Sequence, residues 1–160
     1  TGIAGVELAV YTNYAQDFDN TAASGEISGQ MWGGHINMSP TEGFGFRGLY
    51  GWWDLDCDTT HACNTNGYAH QWGGYIEPSY RWSLGGAMDS SVGVFSRISF
   101  NDEKADSTAA GKSAKVRQYD YGMNYWLSPN TVLKVDYENT KTYKDGKGTH
   151  GFNFGMGYQF

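Results

Sequence analysis

The run Gly151-Phe152-Asn153-Phe154-Gly155-Met156-Gly157-Tyr158-Gln159-Phe160 alternates without a break. Phe152, Phe154, Met156, Tyr158 and Phe160 fall on one face of an extended strand, and Gly151, Asn153, Gly155, Gly157 and Gln159 on the other. A strand of a soluble sheet hides one face and carries charge on the other. This one carries no charge at all. An apolar face backed by a small, uncharged polar one is the profile of a strand with lipid outside and a lumen inside.

Composition narrows the choice. At 160 residues the chain is a single domain of ordinary size. Aromatics at 16% are too many for a disordered segment, and 23 glycines are too many for a helical domain. No apolar run approaches the length of a transmembrane helix. Mean hydropathy is negative, but in a barrel half of each strand faces a polar lumen and the loops are hydrophilic, so this does not argue for a soluble protein. A net charge of -6 argues against a nucleic-acid partner. No secretory segment precedes the first strand pattern, so the sequence reads as a mature chain or as a piece of a longer one. Cys57 and Cys63 lie close together in a polar stretch, and an even pair at short spacing fits a disulfide formed in an oxidising compartment.

Two-residue alternation gives about eight strands. The first is near Gly5–Asn13, with Val6, Leu8 and Val10 opposite Glu7 and Asn13. The second, Glu26–Met38, is the least regular, and Gly33-Gly34 within it marks a bulge or a crowded wall. Phe44–Trp53 sets Phe44, Phe46, Tyr50 and Trp52 against Arg47. Tyr68–Trp82 sets Trp72, Ile76, Tyr80 and Trp82 against Gln71, Glu77, Ser79 and Arg81, with local distortion expected at Pro78. Val92–Phe100 sets Val92, Val94, Ile98 and Phe100 against Arg97. Val116–Leu127 sets Tyr119, Tyr121, Met123, Tyr125 and Leu127 against Gln118, Asp120 and Asn124. Thr131–Thr140 sets Leu133, Val135 and Tyr137 against Lys134, Asp136 and Glu138. The terminal run is the eighth. The expected fold is therefore all-β, a transmembrane antiparallel up-and-down β-barrel over residues 1–160.

The connections sort by length in the same sense. With Phe160 at the periplasmic rim, the outside loops are Lys141–Thr149, Asn101–Lys115, Asp54–Gly67 and Ala15–Gly25. The periplasmic turns are Ser128–Asn130, Ser83–Ser90 and Ser39–Gly43. Long outside loops and short periplasmic turns are the rule for such barrels.

Four stretches carry a resemblance. They are Gly73-Gly74-Tyr75-Ile76-Glu77-Pro78-Ser79-Tyr80-Arg81-Trp82, then Val92 to Asp102, then Asn124 to Tyr137, then Phe152 to Phe160. In order and spacing they resemble the C-terminal half of bacterial outer-membrane porins related to the phosphate-selective porin O and P group, while the earlier part of the chain matches loosely. The resemblance implies half of a sixteen-stranded barrel, a trimer in the outer membrane of a Gram-negative cell, passage of small polar or ionic solutes, no cofactor and no catalysis. It also implies that the terminal Phe160 helps mark the chain for membrane insertion. The basic-rich lining of the phosphate-selective members is absent, since 11 basic residues stand against 17 acidic ones. A porin is implied, its solute is not.

The expected pore-lining charges are Arg47, Glu77, Arg81, Arg97, Asp120, Lys134, Asp136 and Glu138. The arginines either form a column that attracts anions or brace the wall by pairing with Glu77, Asp120 or Asp136. Asp54, Asp56 and Asp58 form an alternating acidic stretch that could take calcium, but the glycine and distant glutamate of a calcium loop are missing. Cys57, His61 and Cys63 could ligate zinc, but a disulfide suits the compartment better and closes a loop with a stabilisation of about 2 kcal/mol. His35, His61, His70 and His150 are scattered, and no spacing singles out a catalytic pair. The aromatics read as lipid-facing girdles or as stacking platforms for sugars. The rival reading is a complete eight-stranded barrel with a filled interior, acting in adhesion, anchoring or partner binding. The inward Gly151, Gly155 and Gly157 suit it.

Overall fold

The structure, a computed structural model, describes residues 5–21, 25–57, 69–103, 115–143 and 147–159. They form eight strands: β1 (Val6–Thr21), β2 (Gly25–Met38), β3 (Phe44–Cys57), β4 (His70–Gly85), β5 (Ser90–Asp102), β6 (Lys115–Ser128), β7 (Thr131–Thr142) and β8 (Gly148–Tyr158). The strands lie side by side in chain order as one antiparallel sheet. Each touches only its neighbours in sequence.

The sheet is open. Among the described residues β1 and β8 do not pair or touch, so the closed barrel expected from the sequence is corrected to an eight-stranded up-and-down sheet with two free edges. Alternation decides which face each side chain takes. It carries no information on whether the outermost strands meet.

Two local expectations change. Residues 15–25 were expected as a loop, but β1 continues through them, pairing Asp19 with Ile27 and Thr21 with Gly25 after a register shift beyond Ala15. Their polar sequence hides the alternation without preventing backbone pairing. The β1–β2 connection is therefore only residues 22–24. Gly33-Gly34 makes no bulge: Tyr11 pairs with Gly33 and Val10 with Gly34 in unbroken register. A Cβ at Gly33 would lie 2.5 Å from the Tyr11 ring, so the crowded-wall alternative is the observed one.

Pro78 removes ladder pairs but does not shift the register. Ile76 pairs with Ile98 and Ser79 with Phe95, the same offset on both sides of the gap. At the turn end, Gly85 (φ 66°), Gly86 (φ 87°) and Asp89 (φ 52°) take the left-handed conformations that close β4 onto β5. The Arg81 N–H donates to the Gly43 carbonyl at 2.7 Å, tying the β2–β3 turn to β4.

The burial pattern is inverted relative to a soluble domain. Phe154 is 81% exposed and Val10 76%, while Glu77 is 7%, Asp120 8% and Asp136 9% exposed. The only buried apolar side chains among the described residues are Ile27 and Ala69. One face of the sheet is a continuous apolar surface, from Leu8 and Val10 on β1 through Ile76, Ile98, Tyr121 and Leu133 to Phe152, Phe154 and Met156 on β8. The other is polar and more enclosed.

Candidate functional site: the charged face of the sheet

Strand register places Arg47, Glu77, Arg81, Arg97, Asp120, Lys134, Asp136 and Glu138 all on the polar face. Five of them form a single row that crosses the sheet. The ladder runs Glu7, Asn37, Arg47, Glu77 on β1 to β4, and Arg97, Asp120, Glu138, Gly151 on β5 to β8. Glu77 joins the two halves. Its Oε2 accepts from Arg97 Nη2 at 2.6 Å and from Arg97 Nε at 2.8 Å, and Arg47 Nη1 approaches Oε1 at 3.9 Å. This nearly buried carboxylate lies between two guanidinium groups, and the fork of Arg97 replaces the water it has lost. Arg97 also lies 4.5 Å from the Tyr75 ring centre. Arg47 and Arg97 are thus both directed at Glu77.

Asp120 and Glu138 face one another across β6 and β7 in the same row. Gln118 Nε2 donates to Asp120 Oδ1 at 2.9 Å, and the Thr140 hydroxyl lies 3.2 Å from Glu138 Oε1. Like charges opposed in a ladder repel, and no cation comes within ion-pair distance of either carboxylate among the described residues. Asp136 is better served: Asn153 Nδ2 donates to it at 2.9 Å and Lys134 Nζ lies 3.0 Å away.

Arg81 differs from the other two arginines. It lies four residues beyond Glu77 towards the turn end, about 13 Å along the strand at the usual rise. Its Nε donates to the Ser91 hydroxyl at 2.7 Å, and its guanidinium lies 4.1 Å from the Trp126 ring centre. Among the described residues it pairs with no carboxylate, and it is exposed. A cavity of about 680 Å³ opens here, lined among others by Arg47, Arg81, Arg97, Lys134, Glu77 and Trp126. The positive excess of this face thus gathers at the turn end, and the negative excess gathers at Asp120 and Glu138.

Rings lie flat on the wall. Phe95 covers Gly122, Trp126 covers Gly93 and Tyr11 covers Gly33, each from a neighbouring strand. A glycine beside an aromatic leaves the ring a place to lie against the backbone. By contrast nothing lies within 4 Å of the Cβ positions of Gly151 and Gly155. Trp126 and Phe95 were missed as wall residues in the sequence. Their signal was parity: Phe95 shares its face with Arg97 two positions away, and Trp126 with Asn124 two and Asp120 six positions away, but a large ring among polar neighbours reads as a break in pattern.

The remaining expectations fall at the far end or outside the described residues. Asp54 Oδ1 lies 2.8 Å from His70 Nδ1, so one carboxylate of the acidic stretch already has a partner. Asp58, His61, Cys63 and Phe160 lie outside the described residues. No disulfide is present among the described residues. Cys57 ends β3 and pairs in the ladder with Ile27. No protein family, curated protein or solved structure was found to match this chain.

Proposed function

We propose that this sheet is part of the wall of an outer-membrane porin, through which small polar or ionic solutes diffuse passively. The observation that carries the reading is the inverted burial. Glu77, Asp120 and Asp136 are enclosed on one face, and outside the loop end large apolar side chains cover the other from edge to edge. In water such a face would drive aggregation. In a bilayer it is the surface that meets the acyl chains, and the charged face lines a wet passage. The free edges of β1 and β8 cannot face lipid, where unpaired backbone groups go unsatisfied, so further strands complete the barrel. The flat rings support a passage wider than an eight-stranded interior, since they lie along the wall instead of filling the space in front of it. A trimer, a Cys57–Cys63 disulfide and insertion signalled by Phe160 belong to the same proposal.

The second reading, a non-conducting eight-stranded barrel made by pairing β1 with β8, is favoured by the glycines on the polar face, which let walls approach. One experiment separates the two. The native protein, purified from a bacterial outer-membrane fraction, is added to a planar bilayer between potassium chloride solutions. Discrete conductance steps are expected, and Arg81→Gln should move the reversal potential in a salt gradient towards cation preference. Protein that inserts but gives no steps overturns the porin and leaves the filled barrel.

A further inference from the structure

The apolar face has one corner where it turns basic. Lys115, Arg117 and Lys141 lie on this face at the loop end of β6 and β7, and all three are exposed. Every other Lys or Arg within the described strands lies on the polar face. Arg117 and Lys141 are direct ladder partners. Two cations in that relation have Cβ atoms about 5 Å apart and repel. No ion pair of Arg117 or Lys141 relieves this among the described residues. Arg117 lies 5.4 Å from the Tyr143 ring centre and Lys141 Nζ 6.0 Å from that of Tyr119. Among the described residues the ion pair at this corner joins Lys115 Nζ to the buried Asp102, 4.0 Å away. This excess stands out in a chain whose net charge is -6.

An anion between Arg117 and Lys141 removes the repulsion, and the fork of a guanidinium suits a phosphate. The surroundings say what else that anion carries. Next to the corner on the same face lie Tyr119, Tyr121, Tyr137, Met123 and Phe152, with Tyr121, Met123 and Phe152 exposed. A free anion has no use for that surface. A molecule with a phosphate at its head and acyl chains behind it covers both parts. We propose that Lys115, Arg117 and Lys141 hold the phosphate of an acylated lipid headgroup in the leaflet at the loop end. This rests on the reading of the apolar face as membrane-embedded.

The full chain, folded into nanodiscs of phosphatidylcholine containing a minor fraction of lipid A, is purified and its co-purifying lipid is measured by native mass spectrometry. The wild type should retain lipid A. The variant carrying Lys115→Gln, Arg117→Gln and Lys141→Gln should retain about tenfold less, roughly one charge-assisted hydrogen bond. The exchange Arg117→Lys with Lys141→Arg should retain it. Protease protection in the same nanodiscs reports insertion separately. Equal retention by an inserted triple variant, or equal retention of dephosphorylated lipid A, overturns the headgroup assignment. Displacement by inorganic phosphate at equal concentration assigns the corner to a free anion and also overturns it. A wild type that is not protected overturns the membrane reading itself.

Discussion

Glu77 shows how much one side chain holds on the polar face. It is the acid between Arg47 and Arg97 and, among the described residues, the only link between the two halves of the charged row. Replacing it by Gln keeps the volume and removes the charge. Both guanidinium groups are then left facing each other, so Glu77→Gln should lower stability by about 1–3 kcal/mol, less than for a fully dry pair because Arg97 is partly exposed. Urea unfolding followed by tryptophan emission in detergent would measure this. The same substitution should shift conductance towards anions. Glycines give a paired contrast. Gly122→Val puts a branched side chain where the Phe95 ring lies and should cost about 1–3 kcal/mol. Gly151→Ala, with open space around it, should leave the unfolding midpoint unchanged.

Among the strands β4 carries a defect that can be repaired. The ladder pairs missing between β4 and β5 are Glu77 with Arg97 and Pro78 with Ser96, the two that need an N–H at position 78. The register is already correct on both sides, so no backbone has to move. Pro78→Val should add one hydrogen bond to the Ser96 carbonyl and stabilise by about 1 kcal/mol, with a slowly exchanging amide at position 78, where proline has none, as the check. At this scale the sequence was highly legible. All eight strands lie where alternation puts them, and the facing of every charge in β3 to β7 follows from counting by twos. The exceptions are physical. Residues 15–21 pair through their backbone, which no side-chain pattern reports. The distortion expected at Pro78 is confined to two missing ladder pairs, because the register is the same on both sides of the gap. The grouping of Arg47, Glu77, Arg97, Asp120 and Glu138 into one row depends on the offsets between strands, which are set by turns and not by any one strand's pattern.

For the molecule as a whole, the proposed function requires that its two faces belong in different solvents. This can be tested with neighbours in the chain. Phe154 is exposed near the middle of the apolar face of β8, and Gly155 points to the open side. Phe154→Arg should cost about 2–4 kcal/mol of bilayer insertion, read as loss of protease-protected protein in lipid vesicles. Gly155→Arg should insert normally. In water the ranking would reverse, since a charge at position 154 would make an exposed apolar face more soluble. Closure of the sheet was the part that could not be read from sequence at this scale, because each strand specifies its immediate neighbours and nothing specifies the outermost pair.

Because every strand meets only the strands before and after it, the wall is a string of separable seams. A hairpin inserted or removed at any connection opens one seam and leaves the rest as they were. In the proposed barrel the circumference is then a count of hairpins, and the charged row fixes the height at which an added hairpin must carry its own acid or base to keep the row continuous. Such a wall can change its bore in steps of two strands, with no change to the chemistry of the strands already there.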